Sequence, residues 1–127
     1  MKVGIDLVEI ERIQKAGLRT PALVQKIFTV RERSYAYSKK NPFVSLAATF
    51  AVKEAVKKLD EVFISGIDWQ DIELAHDDWR RPAVILHGEA LHRARDHQIN
   101  ILDVSISHTN KAAVAVVIAG LGKERDW

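Results

Sequence analysis

The spacing of apolar positions changes character along the chain. Residues 2–8 alternate, with Val3, Ile5 and Leu7 on one face and Lys2, Gly4, Asp6 and Val8 on the other, which predicts an opening strand. From 9 to about 18, Ile10 and Ile13 recur at helical spacing with Glu11, Arg12 and Lys15 outside, and Gly17 loosens the end. Pro21 suits the first turn of a short second helix carrying Leu23, Val24 and Ile27. Thr29-Val30-Arg31-Glu32 has the form of a capping box, and a third helix is predicted from there to Lys40, ended by Asn41-Pro42. Residues 42–59 make the strongest helix, rich in Ala, Leu, Lys and Glu. Beyond it the pattern predicts strands at 67–75 and 83–87, a short helix at 89–97, and strands at 101–107 and 112–119. The last two are joined by the polar turn His108-Thr109-Asn110-Lys111. Residues 121–127 read as a flexible tail. Helices gathered early and strands late predict an α+β domain, its helices packed on one face of a mostly antiparallel sheet.

Composition narrows the class. With 127 residues, 47% hydrophobic and 28% charged, the sequence is expected to form one globular domain over 1–127. Lys and Arg number 19 against 17 Asp and Glu, a net charge of +2, and no cationic patch is interleaved with aromatics, so nucleic acid is not an expected partner. The absence of Cys removes thiolate chemistry and disulfides and suits a reducing cytoplasm. No apolar run reaches the ~18 residues of a membrane span, and the opening residues, with Asp6 and Glu9, do not read as a secretion signal.

Candidate chemistry lies in three places. On the long helix, Phe43, Leu46, Ala47 and Phe50 share a stripe, and Glu54 falls about 40° from Phe50 with Lys58 at about 80°, at the stripe's edge. A carboxylate in an apolar face needs a partner: an i,i+4 pair with Lys58 is one reading, a bound cation the other. Asp6, on the strand face opposite Val3, Ile5 and Leu7, is either an N-cap-like acceptor for the next helix or a metal carboxylate. Two carboxylates from separate elements, completed by substrate phosphates and waters, are a donor set that magnesium favours. Third, Ser105-Ile106-Ser107-His108-Thr109 ends a strand with an imidazole, either a hydrogen-bonded surface His or a ligand-binding one. No G-x-S-x-G elbow, H-E-x-x-H zinc motif or phosphate-binding glycine loop is present.

Taken in order, these segments resemble the holo-acyl carrier protein synthases, the small phosphopantetheinyl transferases. The match is carried by Gly4-Ile5-Asp6-Leu7-Val8-Glu9-Ile10-Glu11-Arg12-Ile13, by Phe50-Ala51-Val52-Lys53-Glu54-Ala55 followed by Lys58, and by Ser105-Ile106-Ser107-His108-Thr109. Phe28-Thr29-Val30-Arg31-Glu32, Trp69-Gln70-Asp71-Ile72-Glu73-Leu74 and Arg81-Pro82 fill the interval. Any one of these motifs is weak, and the ordered set over about 3–119 is strong.

The resemblance implies an enzyme that moves the 4′-phosphopantetheine arm of coenzyme A onto a serine of apo acyl carrier protein, releasing adenosine 3′,5′-bisphosphate. It implies a magnesium-dependent homotrimer with sites between subunits. Carried over by residue, Asp6, Glu54 and Lys58 are catalytic, with Asp6 and Glu54 holding the metal. Lys58, His108 and Lys53 bind coenzyme A, with His108 reaching in from an adjoining subunit, and Arg12 and Arg19 dock the acidic carrier. Glu54 and a water on the ion are alternative acceptors for the serine proton. The chain departs from the family where Ala48-Thr49 stands for Gly-Arg and Asp60-Glu61-Val62-Phe63 for a glycine loop. Those departures keep a second reading open, a non-catalytic paralogue that binds carrier protein or coenzyme A without transfer.

Overall fold

The computed structural model describes residues 1–122. Its elements are β1 (Lys2–Glu9), α1 (Ile10–Arg19), α2 (Pro21–Ile27), α3 (Val30–Tyr37), α4 (Pro42–Lys57), β2 (Ile72–His76), β3 (Pro82–Leu86), α5 (Gly88–Asp96), β4 (Ile99–His108) and β5 (Ala112–Leu121). The strands form two antiparallel sheets, one ordered β1-β5-β4 and the other β2-β3. Together with the helices they make the expected α+β architecture. No helix is long and apolar enough to cross a membrane among the described residues.

Local chemistry sets the element boundaries. Thr29 and Glu32 complete the reciprocal capping box, Thr29 N donating to Glu32 Oε1 at 2.9 Å and Glu32 N to Thr29 Oγ1 at 3.1 Å. Helix α3 stops at Tyr37, short of the predicted Lys40, where Ser38 Oγ turns back to the Tyr35 carbonyl. The strand predicted over 67–75 begins only at Ile72. Asp68 accepts from Gln70 N at 3.0 Å and caps a 3₁₀ turn over Trp69–Asp71 instead. Strand β5 runs through Leu121 and Gly122 N donates to the Gln98 carbonyl at 3.0 Å, so both residues are held; residues 123–127 of the predicted tail lie outside the described residues.

Helix α4 covers one face of the β1-β5-β4 sheet. Its Ala47, Ala51, Val52, Ala55 and Val56 pack in one core with Val8 of β1 and with Ala113, Ala115, Val117 and Ala119 of β5. Small residues on both sides let helix and sheet lie close. The opposite sheet face carries Val3, Ile5 and Leu7, which are 58%, 55% and 67% exposed. Strand β1 is therefore turned so that its other set, Lys2, Gly4, Asp6 and Val8, faces the helix. That orientation brings Asp6 to the chemistry.

Candidate functional site

Helix α4 delivers the second carboxylate. Asp6 and Glu54 line the same cavity of about 410 Å³, bounded by β1, α1, α2 and α4, with Arg12 on its wall. Its apolar lining includes Ile13, Leu23, Val24, Phe28 and Phe50. Burial and the neighbouring Asp6 charge push the Glu54 carboxyl up from its ordinary value, against the opposing pull of Lys57, Lys58 and Arg12. Two acids converging on one partly dry site are poised for a cation.

Lys58, the C-cap of α4, pairs with Asp6 rather than with Glu54: its Nζ lies 2.8 Å from Asp6 Oδ1. The i,i+4 pair allowed by the sequence is thus not formed. Nor does Asp6 cap the next helix, whose N-cap is Glu9 without a side-chain hydrogen bond. The bond to Asp6 raises the Lys58 pKa and keeps the ammonium charged. Among the described residues no group of three His, Cys, Asp or Glu side chains is placed to hold a metal by itself. Asp6 and Glu54 alone fit a hard cation that keeps waters and completes its shell with phosphate oxygens, as magnesium does.

Lys53 is the correction. The family resemblance assigned it to coenzyme A, yet its side chain is fully buried and faces away from solvent. Its Nζ lies 2.9 Å from Glu32 Oε1 and donates to the Trp69 carbonyl at 2.9 Å and to the Ile72 carbonyl. A three-donor ammonium so engaged has nothing left for a phosphate. Burial lowers its pKa, with Glu32 opposing that shift. Glu32 also accepts from Leu74 N at 2.8 Å, so one carboxylate ties α3, α4 and β2 together.

His108 stands at the end of β4, exposed, with Nδ1 3.2 Å from the Thr109 carbonyl oxygen. Strand β5 separates it from β1, and it does not line the Asp6–Glu54 cavity. Arg12, Lys15 and Arg19 line a shallow groove along α1 beside that cavity together with Glu9 and Glu11, and Lys15 is held by Glu11 at 3.0 Å.

The departures from the family pattern have local explanations. Asp60, in the segment that replaces the glycine loop, pairs with Lys2 at 2.7 Å and accepts from Val62 N at 3.0 Å, which holds its carboxyl below the ordinary value. Its charge is therefore neutralised within the chain. Thr49 is buried, its hydroxyl donating to the Ser45 carbonyl at 2.8 Å. The apolar wall from Leu23, Phe28 and Phe50 and the Lys2–Asp60 pair were not singled out from sequence, because each joins segments far apart in the chain.

Comparison with known proteins gives a consistent result. The model of the 4′-phosphopantetheinyl transferase superfamily matches residues 2–117. A holo-[acyl-carrier-protein] synthase of Caldanaerobacter subterraneus subsp. tengcongensis is 42% identical over 117 residues, 92% of each chain. A Chronobacterium ammoniagenes ACPS–CoA complex superposes with a TM-score of 0.84 at 26% identity, covering 96% of this chain and 98% of the other. A Bacillus anthracis holo-(acyl-carrier-protein) synthase in complex with CoA gives 0.73 at 28% identity, covering 95% and 96%.

Proposed function

Since the chain belongs to the 4′-phosphopantetheinyl transferase superfamily, we propose that it transfers the phosphopantetheine arm of coenzyme A to a serine of apo acyl carrier protein. The observation that carries this reading is the meeting of Asp6 and Glu54 in one cavity, with Lys58 hydrogen-bonded at its edge. In the reaction the serine oxygen attacks the β-phosphorus. An O–P bond to serine forms, the bond to the bridging oxygen breaks, and adenosine 3′,5′-bisphosphate leaves with the electron pair. Such a transfer depends on positioning and charge neutralisation more than on covalent help.

Each residue has a role in that scheme. Asp6 and Glu54 would hold magnesium, which when bound supplies positive charge beside the pyrophosphate. The Lys58 ammonium offsets charge on the departing phosphate. Glu54 is also the candidate of this chain to take the serine proton. Arg12 and Arg19 offer guanidiniums to an acidic carrier protein and raise its encounter rate.

The same reading makes the protein a cytoplasmic homotrimer, with His108 completing the coenzyme A pocket of an adjoining subunit. The exposed apolar sheet face supports the assembly, since a patch of that kind on an isolated chain calls for a partner.

The test is incubation with coenzyme A, magnesium and an apo carrier protein, followed by mass spectrometry of the carrier. A gain of one phosphopantetheine arm is expected, and Asp6→Ala or Glu54→Ala should abolish it in folded protein. Coenzyme A binding without any mass gain on several carriers would place the chain with the non-catalytic paralogues instead.

A further inference from the structure

The two carboxylates stand on different elements, so something must set the gap between them. Strand β1 contributes Asp6 and helix α4 contributes Glu54 and Lys58. Strand and helix approach closely at Gly4, two residues before Asp6 on the same face of the strand. There a Cβ would come within 2.8 Å of the Ala55 carbonyl carbon and nearer still to its oxygen. The obstacle is helix backbone, not a side chain that could swing aside. Any residue larger than glycine must lift the helix off the strand. Ala55 directly follows Glu54, so that lift acts on the carboxylate itself.

The surroundings allow little other relief. Across the sheet Gly4 is in register with Val117 and Asp6 with Ala115, both fully buried beneath α4. A close-packed core of this kind shifts as a body rather than absorbing a methyl group locally.

We infer that Gly4 is a positioning residue of the transferase: by admitting the Ala55 carbonyl against β1 it sets the separation of Asp6 and Glu54. The inference rests on the assignment of those carboxylates to the divalent ion. It assigns Gly4 no contact with substrate.

The experiment measures two quantities on the full chain. One is the magnesium concentration giving half-maximal transfer. The other is the rise in melting temperature produced by magnesium in the presence of coenzyme A, which needs no turnover. Asp6→Glu, at a partly exposed position that can be changed without opening the core, lengthens one ligand in an unaltered gap and should raise the magnesium midpoint at least tenfold. Gly4→Ala widens the gap and should do the same. In the double variant the longer side chain spans the wider gap, so the midpoint should fall below that of Gly4→Ala alone and the ion-dependent melting shift should partly return. A merely structural glycine predicts the opposite, with Asp6→Glu adding its own loss to that of Gly4→Ala.

Should Asp6→Glu leave the midpoint unchanged, or the folded double variant respond no better than Gly4→Ala, the inference falls while the transferase assignment stands. If Gly4→Ala does not fold, Ala115→Val replaces it, inserting two methyl groups under the helix at the level of Asp6, with the same rescue expected and the same failure decisive. A native chain that neither transfers the arm nor shows an ion-dependent shift overturns both readings together.

Discussion

At the scale of single residues, the site is held in tension. Glu54 is half-buried beside Asp6, and its carboxyl is pushed up first by burial and then by that neighbour. An acid whose pKa is raised by folding contributes stability that is complete below its unfolded value, near 4.5, and is lost as pH rises through the higher folded value. At neutral pH, without a divalent ion, ionised Glu54 therefore works against the fold. Replacing it by the neutral isostere Gln should raise the melting temperature of the ion-free protein while abolishing transfer. The gain over the native chain should grow between pH 4.5 and pH 7.5. A Glu54→Gln protein that melts lower than the native one at pH 7.5 would show that the carboxylate is paired and comfortable. Sequence periodicity found Glu54 as a misfit in an apolar stripe and left two readings open, of which the i,i+4 pair with Lys58 is not formed. An i,i+4 neighbour is visible along a helix; a partner 52 residues away, Asp6, is not.

At the scale of elements, Glu32 and Lys53 form a buried junction that a linear reading divides between a capping box and a ligand motif. The capping box was legible because its two residues lie three apart and their chemistry is local. The Glu32–Lys53 pair was not, because a Lys beside a functional Glu reads as another functional cation until its burial is known. Removing one member of a buried pair strands the other, at a cost of about 3–5 kcal/mol. Lys53→Met should lower the unfolding free energy measured in urea by an amount of that order, and adding Glu32→Gln should recover part of it. The amide oxygen can still accept from one of the two N–H groups, Thr29 N or Leu74 N, which bond different oxygens of the native carboxylate, while the unpaired charge is gone. The KM for coenzyme A should stay close to the native value in whichever variant remains folded. An increase in that KM without loss of stability would return Lys53 to the substrate. The strand predicted at 67–75 failed for a related reason: Ile67, Ile72 and Leu74 gave it an apolar pattern, and one Asx cap at Asp68 diverted its first half into a 3₁₀ turn.

At the scale of the whole molecule, the outer face of the β1-β5-β4 sheet decides how many chains make a site. Val3, Ile5 and Leu7 lie in register with Ile118, Val116 and Val114, six apolar side chains on the face that α4 does not cover. Strand β5 lacks alternation for this reason. Its Ala113, Ala115, Val117 and Ala119 pack under α4, and Val114, Val116 and Ile118 stand on the face that α4 does not cover. The run from Ala113 to Ile118 is apolar on both faces, but no local pattern names what covers the second. Ile5→Asp should convert the protein to monomers by light scattering and abolish transfer with Asp6 and Glu54 untouched, since a charge costs several kcal/mol in such an interface. Subunit mixing then tests whether His108 is shared. Glu54→Ala and His108→Ala chains each carry one defect, and if a site draws Glu54 from one subunit and His108 from the next, equal random mixing rebuilds about one site in four with both groups native. Activity well above the sum of the two parents is the expected result. A mixture no better than that sum would mean that His108 is not shared between subunits, and, since β5 separates it from Asp6 on β1, would leave its exposed imidazole without a part in the transfer.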